Sequence, residues 1–235
     1  METKRARIFI VDDHPIVIKS LEFLINAQAN LYVCGWAATA REALRQLESC
    51  SAELVIVDIS LPDRHGLDLV RDVRAFYSRI RILVVSAHNE EIYAVHALNA
   101  GANGYVMKDA DIGILTGSIQ QVLAGHTYLS PNMLARLWEY RRVNGIGADT
   151  FTRLSERELQ VLELLGKGRT VIQISEALSL GRHSVETYQT RLREKLAMEN
   201  THELLRYAVL WSVSENSGNC SHVNSDVFHL NRDRI

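Results

Sequence analysis

Five polar side chains stand where short apolar runs stop. Asp12-Asp13 follow Ile8–Val11, Asp58 follows Leu54–Val57, Ser86 follows Ile80–Val85, and Lys108 follows Gly104–Met107. A lone Asp in such a place is ordinarily a helix N-cap. Three carboxylates, a hydroxyl and an ammonium gathered at one edge carry more chemistry. Carboxylates a few ångströms apart raise one another's pKa unless a cation intervenes. An all-oxygen site open to water suits Mg2+ (or Mn2+), which keeps several waters and often sits beside phosphate. Within it Asp58 is the candidate nucleophile, accepting a phosphoryl group as an acyl phosphate. Lys108 supplies a point charge for the phosphoryl oxygens and Ser86 a hydroxyl hydrogen bond. Ala87 leaves room for the incoming group.

The elements that must gather these residues are legible over positions 1–125. β-rich runs at Ile8–Val11, Leu31–Trp36, Leu54–Val57, Ile80–Val85 and Gly104–Met107 alternate with helical periodicity, as in Ile16, Leu21, Leu24 and Ile25 or Leu115, Ile119, Val122 and Leu123. Thr39-Ala-Arg-Glu42 reads as a capping box. Five strands alternating with five helices predict an α/β fold, a doubly wound five-stranded parallel sheet. In such a sheet the functional crevice lies outside the carboxyl ends of the strands, where all five polar residues fall. Residues 126–150 break the pattern and form a linker: Ser130-Pro131 starts a short helix (Met133, Leu134, Leu137, Trp138), and Asn144–Gly147 reads as a loop. Over 151–212 the β signal vanishes. Ser155-Glu-Arg-Glu158 and Thr170-Val-Ile-Gln173 are capping boxes, and two further helices span Arg182–Ala197 and Thr201–Trp211. Residues 213–235 are Ser/Asn-rich and read as a flexible tail.

Length and composition fit two globular domains. The chain has 235 residues, 47% of them hydrophobic, with a net charge of −2 that excludes both a basic nucleic-acid coat and an acidic disordered chain. Cys34, Cys50 and Cys220 are widely spaced and odd in number, which argues against a disulfide framework and suits a reducing cytosol. The apolar run behind the basic N-terminus stops at Asp12, too early for a secretory signal. No membrane association is expected, and the location is read as cytoplasmic.

Val-Asp12-Asp13-His, Asp58-Ile-Ser-Leu-Pro62-Asp-Arg-His-Gly66, Val-Ser86-Ala87 and Gly104-Tyr105-Val-Met-Lys108 resemble the receiver domain of bacterial two-component response regulators. The resemblance implies a flavodoxin-like sheet, phosphorylation of Asp58 by a sensor histidine kinase, and Mg2+ held by Asp13, Asp58 and the Ser60 carbonyl. Asp12 would act through a metal-bound water. It further implies that Ser86 and Tyr105 form a switch pair, and that Ser60 and His88 occupy positions that modulate the lifetime of the acyl phosphate. A solvent-facing His14 opening the first helix is the expectation, since oxygens already serve the ion.

The segment Thr170–Ser179, the turn Leu180-Gly181 and the helix from Arg182 read as a helix-turn-helix. On its second helix Val185, Tyr188, Leu192 and Leu196 face a core. The other side presents His183, Thr187, Thr190 and Glu194, flanked by Glu186 and Arg191, a polar strip able to enter a major groove. Arg169, Arg182, Arg193 and Lys195 are placed for the backbone phosphates, and Thr170, which opens the first helix of the pair, is counted with the DNA-binding residues. Nine Lys/Arg against eight Asp/Glu over 151–212 is weakly basic for a DNA binder. The run Leu154-Ser-Glu-Arg-Glu158, Gly168, Ile174-Ser-Glu-Ala-Leu178, Ser184-Val185-Glu186-Thr187 and Lys195-Leu196 resembles the LuxR-type helix-turn-helix of NarL/FixJ response regulators. That resemblance implies promoter DNA as partner and a homodimer in the active form, with Leu204, Leu205, Ala208 and Trp211 on the last helix either simply core or partly the dimer face.

The sequence therefore reads as a phosphorylation-controlled transcription factor with at most weak autophosphorylation and autodephosphorylation, rather than an enzyme. A regulator acting through protein contacts, its helical domain no longer reading DNA, is the alternative. A phosphatase of the haloacid dehalogenase type needs Asp-x-Asp, and Asp58-Ile-Ser60 lacks the second carboxylate.

Overall fold

A computed structural model describes residues 5–136, 154–196 and 198–216, and the chain divides into two units, Met1–Val143 and Asn144–Ile235. In the first, β1 (Ala6–Val11), β2 (Leu31–Ala37), β3 (Leu54–Val57), β4 (Arg81–Ser86) and β5 (Gly104–Met107) alternate with α1 (Pro15–Asn26), α2 (Ala40–Cys50), α3 (Gly66–Phe76), α4 (Glu90–Ala100) and α5 (Ile112–Leu123). All neighbouring strands are parallel, in the order β2-β1-β3-β4-β5. The α/β doubly wound reading is correct. Ile8, Phe9, Ile10 and Val11 are all buried, as a strand covered on both faces requires. Ile8 and Ile10 cluster with Ile18, Leu21 and Ile25 of α1 and with Leu115, Ile119 and Val122 of α5.

Register aligns the strand ends. Val11 pairs with Val57, and the Asp58 amide donates to the Val11 carbonyl at 2.9 Å, so Asp12 and Asp58 emerge side by side. Ser86 pairs with Met107, and the Lys108 amide donates to the Ser86 carbonyl at 2.8 Å. Gly66 opens α3 where a Cβ would lie 2.0 Å from the Asp58 carbonyl oxygen. Only glycine lets the loop after Asp58 close this tightly.

The segment after α5 belongs to this unit as far as it is described. The Tyr128 amide donates to Asn103 and its carbonyl accepts from Tyr105, both at 3.0 Å. Ser130 donates to Glu90, Arg136 pairs with Glu91, and residues 131–136 are helical. Leu137, Trp138 and the loop Asn144–Gly147 lie outside the described residues.

Two readings need correction. Of the box at Thr39, only half forms: Thr39 accepts from the Glu42 amide, but Glu42 reaches the Ala38 amide instead of the cap's own. The cysteines are not all free. Cys34 of β2 and Cys50 at the end of α2 form a disulfide with Cα atoms 6.4 Å apart. α2 runs back over β2, so its last turn meets the strand, a closure that sequence spacing does not display.

In the second unit α6 (Glu156–Gly166), α7 (Val171–Leu178), α8 (Arg182–Lys195) and α9 (Thr201–Asn216) follow one another. Both expected capping boxes form in full, at Ser155/Glu158 and Thr170/Gln173. The last helix continues past Trp211 to Asn216, and residues 217–235 lie outside the described residues. Leu159, Leu162, Ile174, Val185, Leu192, Leu204 and Ala208 are buried together. At Gly166 a Cβ would meet the Ala208 carbonyl at 2.4 Å, which fixes how closely α6 and α9 pack. No described helix is long and apolar enough to cross a membrane.

Glu158 ties this unit together. Its carboxylate, 1% exposed, accepts from the Ser155 amide at 2.6 Å and from Lys195 at 2.7 Å, joining the start of α6 to the end of α8. Burial alone would raise its pKa; the bonds from Lys195 and Ser155 outweigh that and hold it below the ordinary carboxylate value. A depressed carboxyl contributes stability above its unfolded pKa and loses it as pH falls through the folded one. Glu158→Gln is expected to destabilise the unit by about 1–3 kcal/mol at neutral pH. In thermal melts the gap between variant and wild type should close below roughly pH 4; a gap unchanged by acid would contradict this role.

Candidate functional site

The sheet edge brings Asp12, Asp13, Asp58, Ser86, Ala87 and Lys108 to one crevice. Asp12 and Asp58 are each 2% exposed, and Lys108 stands between them, its ammonium 2.6 Å from Asp12 Oδ2 and 2.8 Å from Asp58 Oδ2. Burial pushes the Asp58 carboxyl above its ordinary value, against the pull of Lys108. Burial also disfavours the charged form of Lys108, but Asp58 and Asp12 outweigh it and hold the ammonium protonated above its ordinary range. The lysine thus neutralises the cluster from within. Asp58 Oδ1 is fixed by the Ile59 amide at 2.7 Å.

A divalent cation is a reasonable occupant on the chemistry of these donors. One ligand atom each from Asp12, Asp13, His14 and Asp58 lies within 4.8 Å of the others. The donors are mostly carboxylate oxygens, which suits a hard cation. His14 opens α1 as its N-cap and is 57% exposed, as expected, and its Nδ1 also sits 2.7 Å from Asp13 Oδ1 and 3.1 Å from Asp12 Oδ1. The imidazole faces water and leans over the acidic pair at once.

Beside Asp58 runs a hydrogen-bonded chain. Ser60 Oγ lies 2.8 Å from His88 Nε2, the His88 amide donates to Ser86 Oγ at 3.3 Å, and Tyr105 donates its hydroxyl to the His88 carbonyl at 2.7 Å. Tyr105 is fully buried, so its ring lies inward. His88 also packs against Tyr93, ring centroids 4.8 Å apart. Asp63 escaped sequence reasoning. Its carboxylate accepts from the Ala40 and Arg41 amides at 2.9 and 3.0 Å, latching the loop after Asp58 onto the start of α2. Burial would raise this carboxyl, yet the Arg41 and Ala40 amides hold it below its ordinary value. An Asp three residues before a glycine-opened helix was its one sequence signal.

In the second unit the strip on α8 is outward, with Arg182, His183, Glu186, Thr190 and Arg191 exposed and Thr187 and Arg193 half-buried. Arg169 is exposed. Thr170 caps α7 as its capping box requires, and Lys195, expected at a phosphate, pairs with Glu158. On α9, Leu204, Ala208 and Trp211 turn into the domain's own core, which corrects their reading as a dimer face. The helix periodicity leaves Leu205, Val209 and Leu210 outside, 37–47% exposed.

Comparison with known proteins bears on both units. Residues 8–120 match the response regulator receiver domain, and residues 152–208 match the bacterial regulatory proteins of the luxR family. The Fimbriae Z protein of Salmonella typhimurium is 32% identical over 205 residues, covering 87% of this chain and 97% of that protein. The DNA-binding transcriptional activator DevR/DosR of Mycobacterium tuberculosis is 31% identical over 194 residues, 83% of this chain and 89% of that one. RcsB of Salmonella enterica serovar Typhimurium, solved bound to promoter rprA with the phosphomimetic BeF3−, has the same fold (TM-score 0.70, 24% identity, 88% of this chain and 99% of that chain).

Lys108 places its ammonium on Asp12 and Asp58, within the carboxylate cluster a cation would enter, so the two positive charges oppose each other there. Lys108→Met is expected to bind Mg2+ about three- to tenfold more tightly than wild type. Asp13→Ala should weaken binding by at least roughly tenfold. Calorimetric titration distinguishes these outcomes, and a Lys108→Met variant no tighter than wild type would show that ammonium and cation do not compete.

Proposed function

The chain belongs to the response regulators of the NarL/FixJ type, a receiver domain followed by a LuxR-type helix-turn-helix domain, and from that membership we propose that phosphorylation of Asp58 by a sensor histidine kinase controls binding of the second domain to promoter DNA. The observation that carries the reading is the buried Asp58 carboxylate held between an ammonium and an acidic pair. One Asp58 oxygen attacks phosphorus, a P–O bond forms, and the donor's bond to phosphorus breaks. Mg2+, held by Asp13, Asp58 and the Ser60 carbonyl with Asp12 acting through water, would neutralise charge on the incoming phosphoryl oxygens. Lys108 turns from its carboxylates to those oxygens. Ser86, whose oxygen now accepts from the His88 amide, donates its hydroxyl to the phosphoryl group.

That shift moves the residues on which the far side depends. The His88 carbonyl holds Tyr105, and the Tyr105 amide holds Tyr128 in the segment leading toward the second domain. Ser130 and Arg136 bind that segment to Glu90 and Glu91 at the start of α4. The phosphoryl group acts by binding one arrangement of this chain better than the other. In the active arrangement two copies pair, Leu205, Val209 and Leu210 supplying the exposed apolar face on α9. On DNA, α8 enters the major groove with Arg169, Arg182, Arg191 and Arg193 near phosphates.

A second reading, an output domain that acts through protein contacts, is favoured by the weak charge of the helical domain and by the pairing of Lys195 with Glu158. Cytoplasmic residence is the setting that either reading requires.

Acetyl phosphate with Mg2+ should label wild type and not Asp58→Asn, measured by intact mass. Phosphorylated wild type should bind duplex DNA with an affinity that falls steeply with salt; salt-independent or absent binding would favour the second reading. His88→Ala removes the imidazole that braces Ser60 beside Asp58. It is expected to leave phosphorylation intact and to shorten the phosphate half-life about two- to fivefold by opening the pocket to water. An unchanged half-life would remove His88 from the account.

A further inference from the structure

α8 carries an unusual reading surface. Val185 and Leu192 are fully buried, and the opposite side presents His183, Glu186, Thr187 and Thr190 toward the start of the helix, followed by Arg191 and Glu194. Both threonine hydroxyls are turned back onto the helix. Thr187 Oγ1 donates to the His183 carbonyl at 2.8 Å, and Thr190 Oγ1 donates to the Glu186 carbonyl at 3.1 Å while accepting from Arg193 at 3.4 Å. Their γ-methyl groups are what remains to meet a base edge. Glu186, its side chain 61% exposed, is an acceptor only. His183 Nδ1 faces that carboxylate at 3.8 Å.

His183, Glu186, Thr187 and Thr190 include no Arg, Lys, Asn or Gln, and the one cation beside them on this face is the exposed Arg191, a turn after Thr187. Guanine is read in the major groove by Arg or Lys at O6 and N7, adenine by Asn or Gln at N6 and N7. The neighbouring Arg191 lies over the Tyr188 ring, 5.9 Å from its centroid, and Arg193 leans on Thr190. A carboxylate repels the acceptor edge of guanine and pairs with the N4 amino group of cytosine, while a threonine methyl packs on the C5-methyl of thymine.

We propose that α8 reads a pyrimidine-rich half-site, Thr187 and Thr190 contacting thymine C5-methyl groups and Glu186 accepting from cytosine N4. The proposal rests on the DNA-binding reading above and specifies which bases that surface selects.

The test uses the full chain, phosphorylated with acetyl phosphate and Mg2+, and a pool of random DNA duplexes. The enriched duplex is then remade with single thymine-to-uracil changes, which delete one methyl and nothing else. Wild type should lose about fourfold in affinity at each contacted thymine. Thr187→Ser and Thr190→Ser should bind the thymine duplex about fourfold more weakly and become indifferent to uracil at the matching position. Thr187→Val and Thr190→Val keep the methyl and should retain the thymine preference. Glu186→Gln should relax the preference for cytosine. An enriched duplex that tolerates uracil everywhere, or valine variants that lose the preference, would overturn this inference while leaving DNA binding intact. Failure of every duplex to bind at low salt would overturn the DNA reading itself, and this inference with it.

Discussion

Carboxylates that converge on one sheet edge must be neutralised, and Lys108 does this from within the protein. Its ammonium lies within 2.8 Å of both Asp58 and Asp12. In a crevice where both acids are almost wholly buried, leaving them unpaired would cost several kcal/mol, on the order expected for a stranded buried charge. The backbone is arranged to make the contact: register places Asp12 beside Asp58, and the Lys108 amide is tied to Ser86. Charge balance at this edge therefore sets what the fold must deliver, and any added phosphoryl group disturbs that balance first.

From there the disturbance has a short physical path. Ser86, His88 and Tyr105 share hydrogen bonds, and Tyr105 shares its backbone amide with Tyr128. The segment from Tyr128 to Arg136 is therefore bound to the same strand and helix that border the pocket. Asp63 does the corresponding work on the other side, joining the loop after Asp58 to α2. Sub-ångström changes at Asp58 can be passed on because packed elements of this kind have discrete arrangements.

The alternation of apolar runs and helical periodicity made the sheet legible, and the polar residue ending each run made the crevice legible. Pairings across the fold were not. Which oxygen Lys108 meets, that Ser60 meets His88, and that Cys34 meets Cys50 all depend on how separate elements lie together. Residue type also misled where one side chain had two uses. Lys195 looked like a phosphate contact but balances the buried Glu158. On α9 the leucine and tryptophan positions were visible, yet which of them face inward depends on where α6 packs, and Gly166 sets that approach.

The central claim is that a phosphoryl group on Asp58 is felt at Tyr128 through His88 and Tyr105. Amide hydrogen exchange measured on the full chain, with and without acetyl phosphate and Mg2+, tests it most directly. Phosphorylation should change exchange at the Tyr105 amide, whose acceptor is the Tyr128 carbonyl, and at the Tyr128 amide itself; Asp58→Asn should show no change at either. Altered exchange confined to the loop after Asp58, with Tyr105 and Tyr128 untouched, would contradict the account.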